Sequence, residues 1–288
     1  MKLVVDIGGT TIKVGRWQNE LKMIDTYPSP DSWDNMLNLF HKINQEHVKD
    51  KGYESIHFSV PGIPNHKTGY IDGASSLRFI HENNFVQAMT KIFKTKIYFE
   101  NDATCASMAE MILGAGKSVD NMIFLIIGTG IGGSVIYNRQ IQSGANSFAG
   151  EFGMMLVDGK REWAQLGSAV HMARKVSAIK DEIVTGEEVF ELAKLGDKEC
   201  IMATEELYHY LALGIYNLQY IIDPELIILG GGISNNEELI PNIERHLSLI
   251  MNNGQRSPLF PKLTTCQFRN DANLIGAAYL KENSYGDI

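Results

Sequence analysis

The fold is decided by the opening stretch of the chain, which reads "MKLVVDIGGTTIKVGRWQNE" from Met1 to Glu20. A short apolar run ends in an acid, Asp6, and a bare turn of two glycines and two threonines follows it. The next residues, 11–17, alternate between apolar and polar side chains, so the two stretches are predicted to form a β-hairpin. The turn between them either reverses the chain only or also holds a ligand.

The same order of features returns about 120 residues later in "NMIFLIIGTGIGGSVIYNRQ", residues 121–140, and such an echo suggests two related halves. A third apolar run, "PELIILGGGIS" at residues 224–234, also enters a glycine turn. Strands are predicted in "SIHFSVPG" and "KIYFEND". Helices are predicted at residues 34–48, in "ATCASMAEMILGAG" up to Gly114 or Gly116, at about 205–222 and in "NLIGAAYLKEN". Strands alternating with helices indicate an α/β protein.

Composition limits the possible functions. The 288 residues can bury a large core, and 44% hydrophobic with 21% charged residues is ordinary for a globular protein. The net charge of -8 disfavours nucleic acid or an anionic membrane as the main partner. Three widely spaced cysteines show neither a disulfide framework nor a CxxC zinc site. The N-terminus runs directly into a strand, without a signal peptide, so a cytoplasmic location is expected.

The three glycine turns are candidates for a nucleotide phosphate site. Glycine lets backbone N–H groups approach an anion closely, and threonine hydroxyls add donors. Any single turn could equally be a tight hairpin, but three at strand ends favour a phosphate cradle. The second turn contains G-x-G-x-x-G, yet it leads into a strand rather than a helix, which argues against a nicotinamide enzyme. Asp6 beside the first turn is either an Asx-turn residue or an acid that holds Mg2+ through water.

The segment "FENDATCAS" places Glu100, Asn101 and Asp102 between a strand and a helix. An N-cap explains one such residue. Phosphoryl transfer to an alcohol needs a carboxylate that accepts the hydroxyl proton, and Asp102 is suitably placed for that role, with Asn101 orienting a hydroxyl. Glu151 in "FAGEFGMM" and Glu162 in "KREWAQLGS" could accept hydrogen bonds from vicinal sugar hydroxyls, although surface or capping acids are the simpler interpretation of each alone.

Together, "DIGGTTIKVG", "FSVPG", "ENDATCAS", "IIGTGIGGSV", "AGEFGMM", "PELIILGGGIS" and "LIGAAYL" closely resemble the ROK family, which comprises sugar kinases and sugar-responsive repressors. The resemblance runs in order over nearly the whole chain. It implies a two-lobed, actin-like ATPase (ribonuclease H-like) fold, with mixed sheets flanked by helices and a cleft between the lobes for sugar and ATP. The expected lobes are residues 1–115, joined by a closing helix at 272–286, and residues 116–271.

The resemblance also implies roles for single residues. ATP phosphates are assigned to the first and second turns, namely Asp6 (also toward Mg2+), Gly8, Gly9, Thr10, Thr11, Gly128, Thr129, Gly130 and Gly132. The adenosine is assigned to Gly230, Gly231 and Gly232. Sugar hydroxyls are assigned to Asn101, Glu151 and Glu162, with Gly62 beside them, and Asp102 is the base. His81 either reaches the sugar or has a capping or surface role. A homodimer is possible, because kinases of this family are often dimers.

Two departures from the family pattern concern zinc and the sugar. Met154 stands where the family usually has a histidine that serves both, and the cysteine-rich zinc loop that should follow is missing. No structural zinc is therefore expected, and the alignment of Glu162 is less secure than that of Glu151. The loop at residues 69–85 also lacks the usual Asn-Leu pair after its serines. The chain thus resembles the zinc-less subgroup, to which β-glucoside kinases and proposed N-acetylmannosamine kinases belong.

The leading hypothesis is an ATP-dependent kinase that phosphorylates a primary hydroxyl, O6, of a hexose such as N-acetylmannosamine, glucose or a β-glucoside. A sugar-responsive repressor would carry an N-terminal helix-turn-helix of about 70 residues, for which there is no room before Leu3. A non-catalytic module that binds sugar or ATP is the third possibility, and the retention of Asp102 beside Asn101 speaks against it.

Overall fold

A computed structural model describes residues 1–48, 52–254 and 259–280. These residues form two compact units, one built from residues 1–112 together with those from 270 on, and the other from residues 113–269. Residues 281–286 of the predicted closing helix lie outside the described residues. None of the described helices is both long and apolar enough to span a lipid bilayer.

The first unit is built on a mixed sheet with the strand order β3-β2-β1-β4-β7. Its strands, including a separate β5-β6 hairpin, are β1 (Lys2–Ile7), β2 (Thr11–Trp17), β3 (Leu21–Pro28), β4 (Ser55–Val60), β5 (Ile63–Asn65), β6 (Tyr70–Asp72) and β7 (Lys96–Asn101). Its helices are α1 (Trp33–Ile43, continued by a wider turn Asn44–Val48), α2 (Phe85–Phe93), α3 (Asp102–Ile112) and, at the far end of the chain, a helix at Ala272–Ala277. The predicted hairpin is confirmed, since β1 and β2 pair antiparallel.

The two faces of this sheet differ in chemistry because successive side chains on a strand point to opposite faces. Apolar residues of β1 and β4 pack with Met36, Phe40 and Phe85 of α1 and α2. The intervening residues include Asp6, His57 and Ser59, which are buried and polar. His57 Nδ1 donates to the carbonyl of Ala277, so this second face lies toward the helix at 272–277.

The second unit repeats the strand order of the first. Its elements are β8 (Met122–Ile127), β9 (Ile131–Tyr137), β10 (Gln140–Ile141), α4 (Trp163–Gly167), α5 (Ala169–Lys180), α6 (Gly186–Lys194), α7 (Lys198–Ile222), β11 (Leu226–Gly230), α8 (Leu239–Gly254) and β12 (Leu263–Thr265). The helix at Ala272–Ala277, which belongs to the first unit, follows these elements in the chain and is numbered α9. The sheet order β10-β9-β8-β11-β12 places one antiparallel hairpin beside two parallel strands, as β3-β2-β1-β4-β7 does. The predicted relation between the two halves is therefore confirmed at the level of topology, and the α/β class with it.

Candidate active site

Asp6 is a buried acid at the next-to-last position of β1. Its Oδ1 accepts hydrogen bonds from Ser59 Oγ (2.8 Å) and Asn273 Nδ2 (3.0 Å), on β4 and α9 respectively. Burial raises the pKa of Asp6, while these two bonds and the charge of Lys13 oppose the rise. Within the described part of the chain its hydrogen bonds go to other elements and not to the following turn, so an Asx-turn does not explain the residue. Acids kept buried in this way are typical of functional sites.

The turn after Asp6 is closed by its own backbone, because Gly8 N–H donates to the Thr11 carbonyl (3.0 Å). Ser29 holds it from outside, donating from Oγ to the Gly8 carbonyl (2.6 Å) and from N–H to the Thr10 carbonyl (2.9 Å). Gly9 and Thr10 are exposed. A Cβ at Gly9 would lie 2.3 Å from Ser76 Oγ, so a side chain there would fill the space above the turn. An exposed, bare turn of this kind suits a phosphate group.

A magnesium ion at this end of the sheet would depend on Asp6. Among the described residues, no group of three or more His, Cys, Asp or Glu side chains could hold a metal ion. Magnesium bound with ATP usually takes one or two carboxylates, substrate phosphates and several waters, so a single buried carboxylate beside an exposed glycine turn fits it. When bound, the ion would neutralise phosphate charge.

The junction of β7 and α3 carries Asn101 and Asp102. Asn101 Nδ2 donates to the carbonyl of Gly62 (2.8 Å), and its Oδ1 accepts from the N–H of Thr104 (3.2 Å). The second bond is an N-cap bond. Asp102 Oδ1 accepts from the N–H of Ala103 (2.8 Å). Because Asn101 already caps α3, capping does not account for Asp102.

Glu100 supports this junction through a hydrogen bond to its backbone. It is buried, its Oε1 accepts from the N–H of Asn101 (2.8 Å), and its Oε2 lies 3.5 Å from Nε2 of His66. Glu100 is the cross-strand partner of Ser59, which is in turn the partner of Asp6. One row of residues across three parallel strands therefore links the base of the first glycine turn to the junction.

His81 lies behind Gly62. A Cβ at Gly62, where φ is +92°, would approach His81 Cε1 to 2.8 Å. The ring Nδ1 is 3.0 Å from the Ile71 carbonyl and Nε2 is 2.8 Å from Ser75 Oγ. Both ring nitrogens are thus engaged within the first unit.

The second and third turns lie in the second unit. Gly128 N–H donates to the Gly130 carbonyl (2.9 Å), which closes the second turn, and Thr129 is exposed between them. Gly132 continues into β9. Gly230 ends β11, and Gly231 adopts a φ of +86° before a short helical turn that begins at Gly232.

Glu151 lies on a segment that rests directly on β9. A Cβ at Gly150 would come within 2.3 Å of the Gly133 carbonyl, and one at Gly153 within 2.2 Å of the Ile131 carbonyl. The glycines on either side of Glu151 therefore permit a backbone contact that a side chain would prevent. Glu151 is half-buried, and desolvation raises its pKa.

Glu162 is brought to the same segment. It forms an antiparallel bridge with Leu156, and the next residue, Trp163, donates its N–H to the Met155 carbonyl (2.7 Å). The Trp163 side chain is fully buried, and its Nε1 donates to the Tyr210 carbonyl (2.8 Å) on α7. This anchor fixes the start of α4 and so the backbone of Glu162.

The shortened loop between Leu156 and Glu162 closes on Asp158. Its Oδ1 accepts from the N–H groups of Lys160 (2.9 Å) and Arg161 (2.7 Å), and its Oδ2 accepts from Arg161 Nε (2.8 Å). These bonds hold the pKa of Asp158 down at about 2. Side-chain and backbone hydrogen bonds thus close this loop without cysteine.

Sequence reasoning missed several supporting residues. Ser59 and Asn273 contact Asp6, Ser76 lies against Gly9, and His66 contacts Glu100. The sequence reasoning gave none of these four residues a role in the site. Asn273 lies 267 residues from Asp6, so only the folded chain shows the pair.

Comparison with known proteins identifies the family of this chain. The ROK family model matches residues 2–284. A β-glucoside kinase of Listeria monocytogenes is 30% identical over 284 residues, covering 95% of each chain. A ROK family protein from Streptococcus pneumoniae, solved in complex with sucrose, is 31% identical, with a TM-score of 0.87 over 96% of each chain.

A more distant structure supports the fold alone. A ROK family glucokinase from Streptomyces griseus, solved with glucose and AMPPNP, is 23% identical, with a TM-score of 0.81 over 98% of this chain and 99% of its own. The family match covers nearly the whole chain, and named relatives of similar length phosphorylate carbohydrates. The chain therefore belongs to the ROK family and is a carbohydrate kinase.

Proposed function

We propose that this kinase transfers the γ-phosphoryl group of ATP to the primary hydroxyl O6 of a hexose, with β-glucosides as its preferred acceptors. The observation that carries the acceptor class is the 30% identity to a β-glucoside kinase over 95% of both chains. Glucose and N-acetylmannosamine are the acceptors against which this preference is to be measured. The three free cysteines and the use of ATP fit a cytoplasmic enzyme.

In this proposal Asp102 accepts the proton of the attacking hydroxyl. It starts a helix whose cap is supplied by Asn101, so capping does not account for a carboxylate at this position, and proton transfer does. Asn101, whose amide is fixed between Gly62 and Thr104, orients hydroxyls of the sugar. A rigidly held acceptor contributes through orientation as well as through proton transfer.

Glu151 and Glu162 bind further hydroxyls as hydrogen-bond acceptors. A carboxylate accepts from two vicinal hydroxyls at once, which suits a pyranose ring. Both residues have fixed backbones, the first because its segment lies on β9 and the second because Trp163 is buried beside it.

The glycine turns handle ATP. The phosphates are assigned to Gly8, Gly9, Thr10 and Thr11 of the first unit and to Gly128, Thr129, Gly130 and Gly132 of the second. The N–H groups that do not close these turns and the threonine hydroxyls are the donors to phosphate oxygens. Asp6 holds Mg2+ through water, and Gly230, Gly231 and Gly232 approach the adenosine.

The test is ADP release, measured with a coupled assay over a panel of cellobiose and other β-glucosides, glucose, N-acetylmannosamine, N-acetylglucosamine, mannose and fructose. A β-glucoside should give the highest kcat/KM. The 6-deoxy analogue of the best sugar should inhibit without being phosphorylated, because it lacks the accepting hydroxyl. A panel in which no sugar raises ADP release would remove the kinase proposal, and turnover of the 6-deoxy analogue would remove O6.

A further inference from the structure

Ser76 lies against the first glycine turn. Its Oγ occupies the space that a Cβ of Gly9 would need, at 2.3 Å from that position. The side chain is exposed, and no hydrogen bond among the described residues involves its hydroxyl. A donor therefore remains available for a ligand beside the turn.

The residue before it is fixed by a chain of hydrogen bonds. A carbonyl only accepts, so His81 Nδ1 donates to Ile71 O (3.0 Å). In the neutral ring Nε2 then accepts from Ser75 Oγ (2.8 Å), and Ser75 Oγ accepts in turn from Leu77 N–H (3.2 Å). Leu77 itself is buried, so Ser76 is held between two anchored neighbours.

The other end of this chain reaches the sugar side of the proposed site. The His81 ring packs beneath Gly62, and the Gly62 carbonyl accepts from Asn101 Nδ2. One connected set of contacts in the first unit therefore runs from Gly9 through Ser76, Ser75 and His81 to the segment that carries the base.

We propose that Ser76 is a further phosphate ligand, whose hydroxyl donates to the γ-phosphoryl group of ATP at the Gly8–Gly9 turn. Ser75 and His81 are positioning residues that hold it there. This inference rests on the proposed use of ATP, and it assigns to residues 75 and 76 a function that their sequence pattern does not reveal.

The position of this hydroxyl predicts which nucleotides should bind more weakly when it is removed. A hydrogen bond to a charged group is stronger than one between neutral groups, and it disappears in Ser76→Ala. ATP and its analogue AMPPNP carry the third phosphate, whereas ADP does not. Ser76→Ala should therefore weaken AMPPNP binding selectively.

The experiment is calorimetric titration of the full chain with AMPPNP and with ADP, both with Mg2+ and without sugar. Ser76→Ala should bind AMPPNP about tenfold more weakly than wild type and ADP within twofold of wild type. Ser76→Thr, which keeps a hydroxyl, should restore most of the AMPPNP affinity. Ser118→Ala, at another exposed serine without a hydrogen bond among the described residues, is the matched control and should change neither affinity.

Unchanged AMPPNP binding in Ser76→Ala, or an equal loss for both nucleotides, would overturn the assignment. Ser75→Ala tests the positioning role, and it should lower AMPPNP affinity about threefold or more and add little in combination with Ser76→Ala. Full additivity of the two changes, or no effect of Ser75→Ala, would overturn that role. Because the titrations need no sugar, their outcome stands apart from a failure of the sugar panel.

Discussion

Asp102→Asn separates catalysis from folding at the residue on which the mechanism most depends. The carboxylate Oδ1 accepts the Ala103 N–H at 2.8 Å, and the amide oxygen of asparagine can accept the same bond. The substitution removes the favourable charge at the start of α3, which is worth about 0.3–1 kcal/mol. A loss of that size leaves nearly all molecules folded, because a domain is typically stable by about 5–15 kcal/mol.

The effect on catalysis is expected to be far larger. Removal of a general base costs roughly a hundredfold to ten-thousandfold in kcat. That factor corresponds to about 2.7–5.4 kcal/mol of transition-state stabilisation, several times the folding term. Binding of sugar and nucleotide should change much less, because the proton is transferred only in the transition state.

The assay is kcat from coupled ADP release with the best sugar, together with urea unfolding of the same preparations. Asp34→Asn is the matched control, since Asp34 is an exposed acid in the first turn of α1 and carries the same helix-end charge. It should lose a similar amount of stability and no kcat. Near wild-type kcat in a folded Asp102→Asn protein would refute the role of Asp102 and direct attention to Glu100 and Glu151.

Four further changes test other parts of the molecule. Asp6→Asn should abolish Mg2+-dependent turnover. Because the pKa of Asp6 is raised in the folded protein, ionisation of this carboxyl destabilises wild type as the pH rises, so the free energy of unfolding of Asp6→Asn relative to wild type should increase from pH 4 to 7. Unfolding measured across that pH range checks the sign. Glu151 has a raised pKa, so acidification should protonate it and weaken sugar binding, which raises the KM for sugar at low pH. Glu151→Gln should remove this dependence of KM on pH. Gly276→Ala would place a Cβ 1.6 Å from the Cys105 carbonyl oxygen and should cost about 3 kcal/mol or more, visible as a lower urea midpoint. Elemental analysis should find no stoichiometric zinc, and a full equivalent would contradict the interpretation of the loop at Asp158.

Much of the fold follows from local pattern. The hairpin of β1 and β2 and its echo in β8 and β9 are carried by alternation and by glycine turns, which act over a few residues. Element ends are less well predicted. The long helix α7 begins at Lys198 rather than near residue 205, because Asp197 accepts the N–H of Cys200 (3.0 Å) and caps it.

The supporting residues that the sequence did not predict make contacts between segments that are distant in the chain. Trp163 fills the space beside Gly214 of α7, where a Cβ would lie 2.2 Å from the indole. Asn273 reaches Asp6 from the other end of the chain. No local periodicity encodes such pairs, since each needs the fold already formed before the two residues meet. Family motifs predict the reactive residues, and only the packing of the folded chain shows which residues hold them in place.

The β1–β2 and β8–β9 hairpins differ in the charge of the residue pair at the base of each turn. In the first, the next-to-last pair before the turn is Asp6 opposite Lys13, and in the second it is Ile126 opposite Gly132. Both turns can offer N–H donors, but only the first has a carboxylate and an ammonium group at its base. A metal ion and a transferring phosphoryl group need compensating charge, whereas phosphates that stay on the nucleotide can be held by N–H groups alone. The two turns proposed to bind phosphate therefore share one topology. The different residues at one pair of positions favour the first unit as the one that would bind the reacting end of ATP.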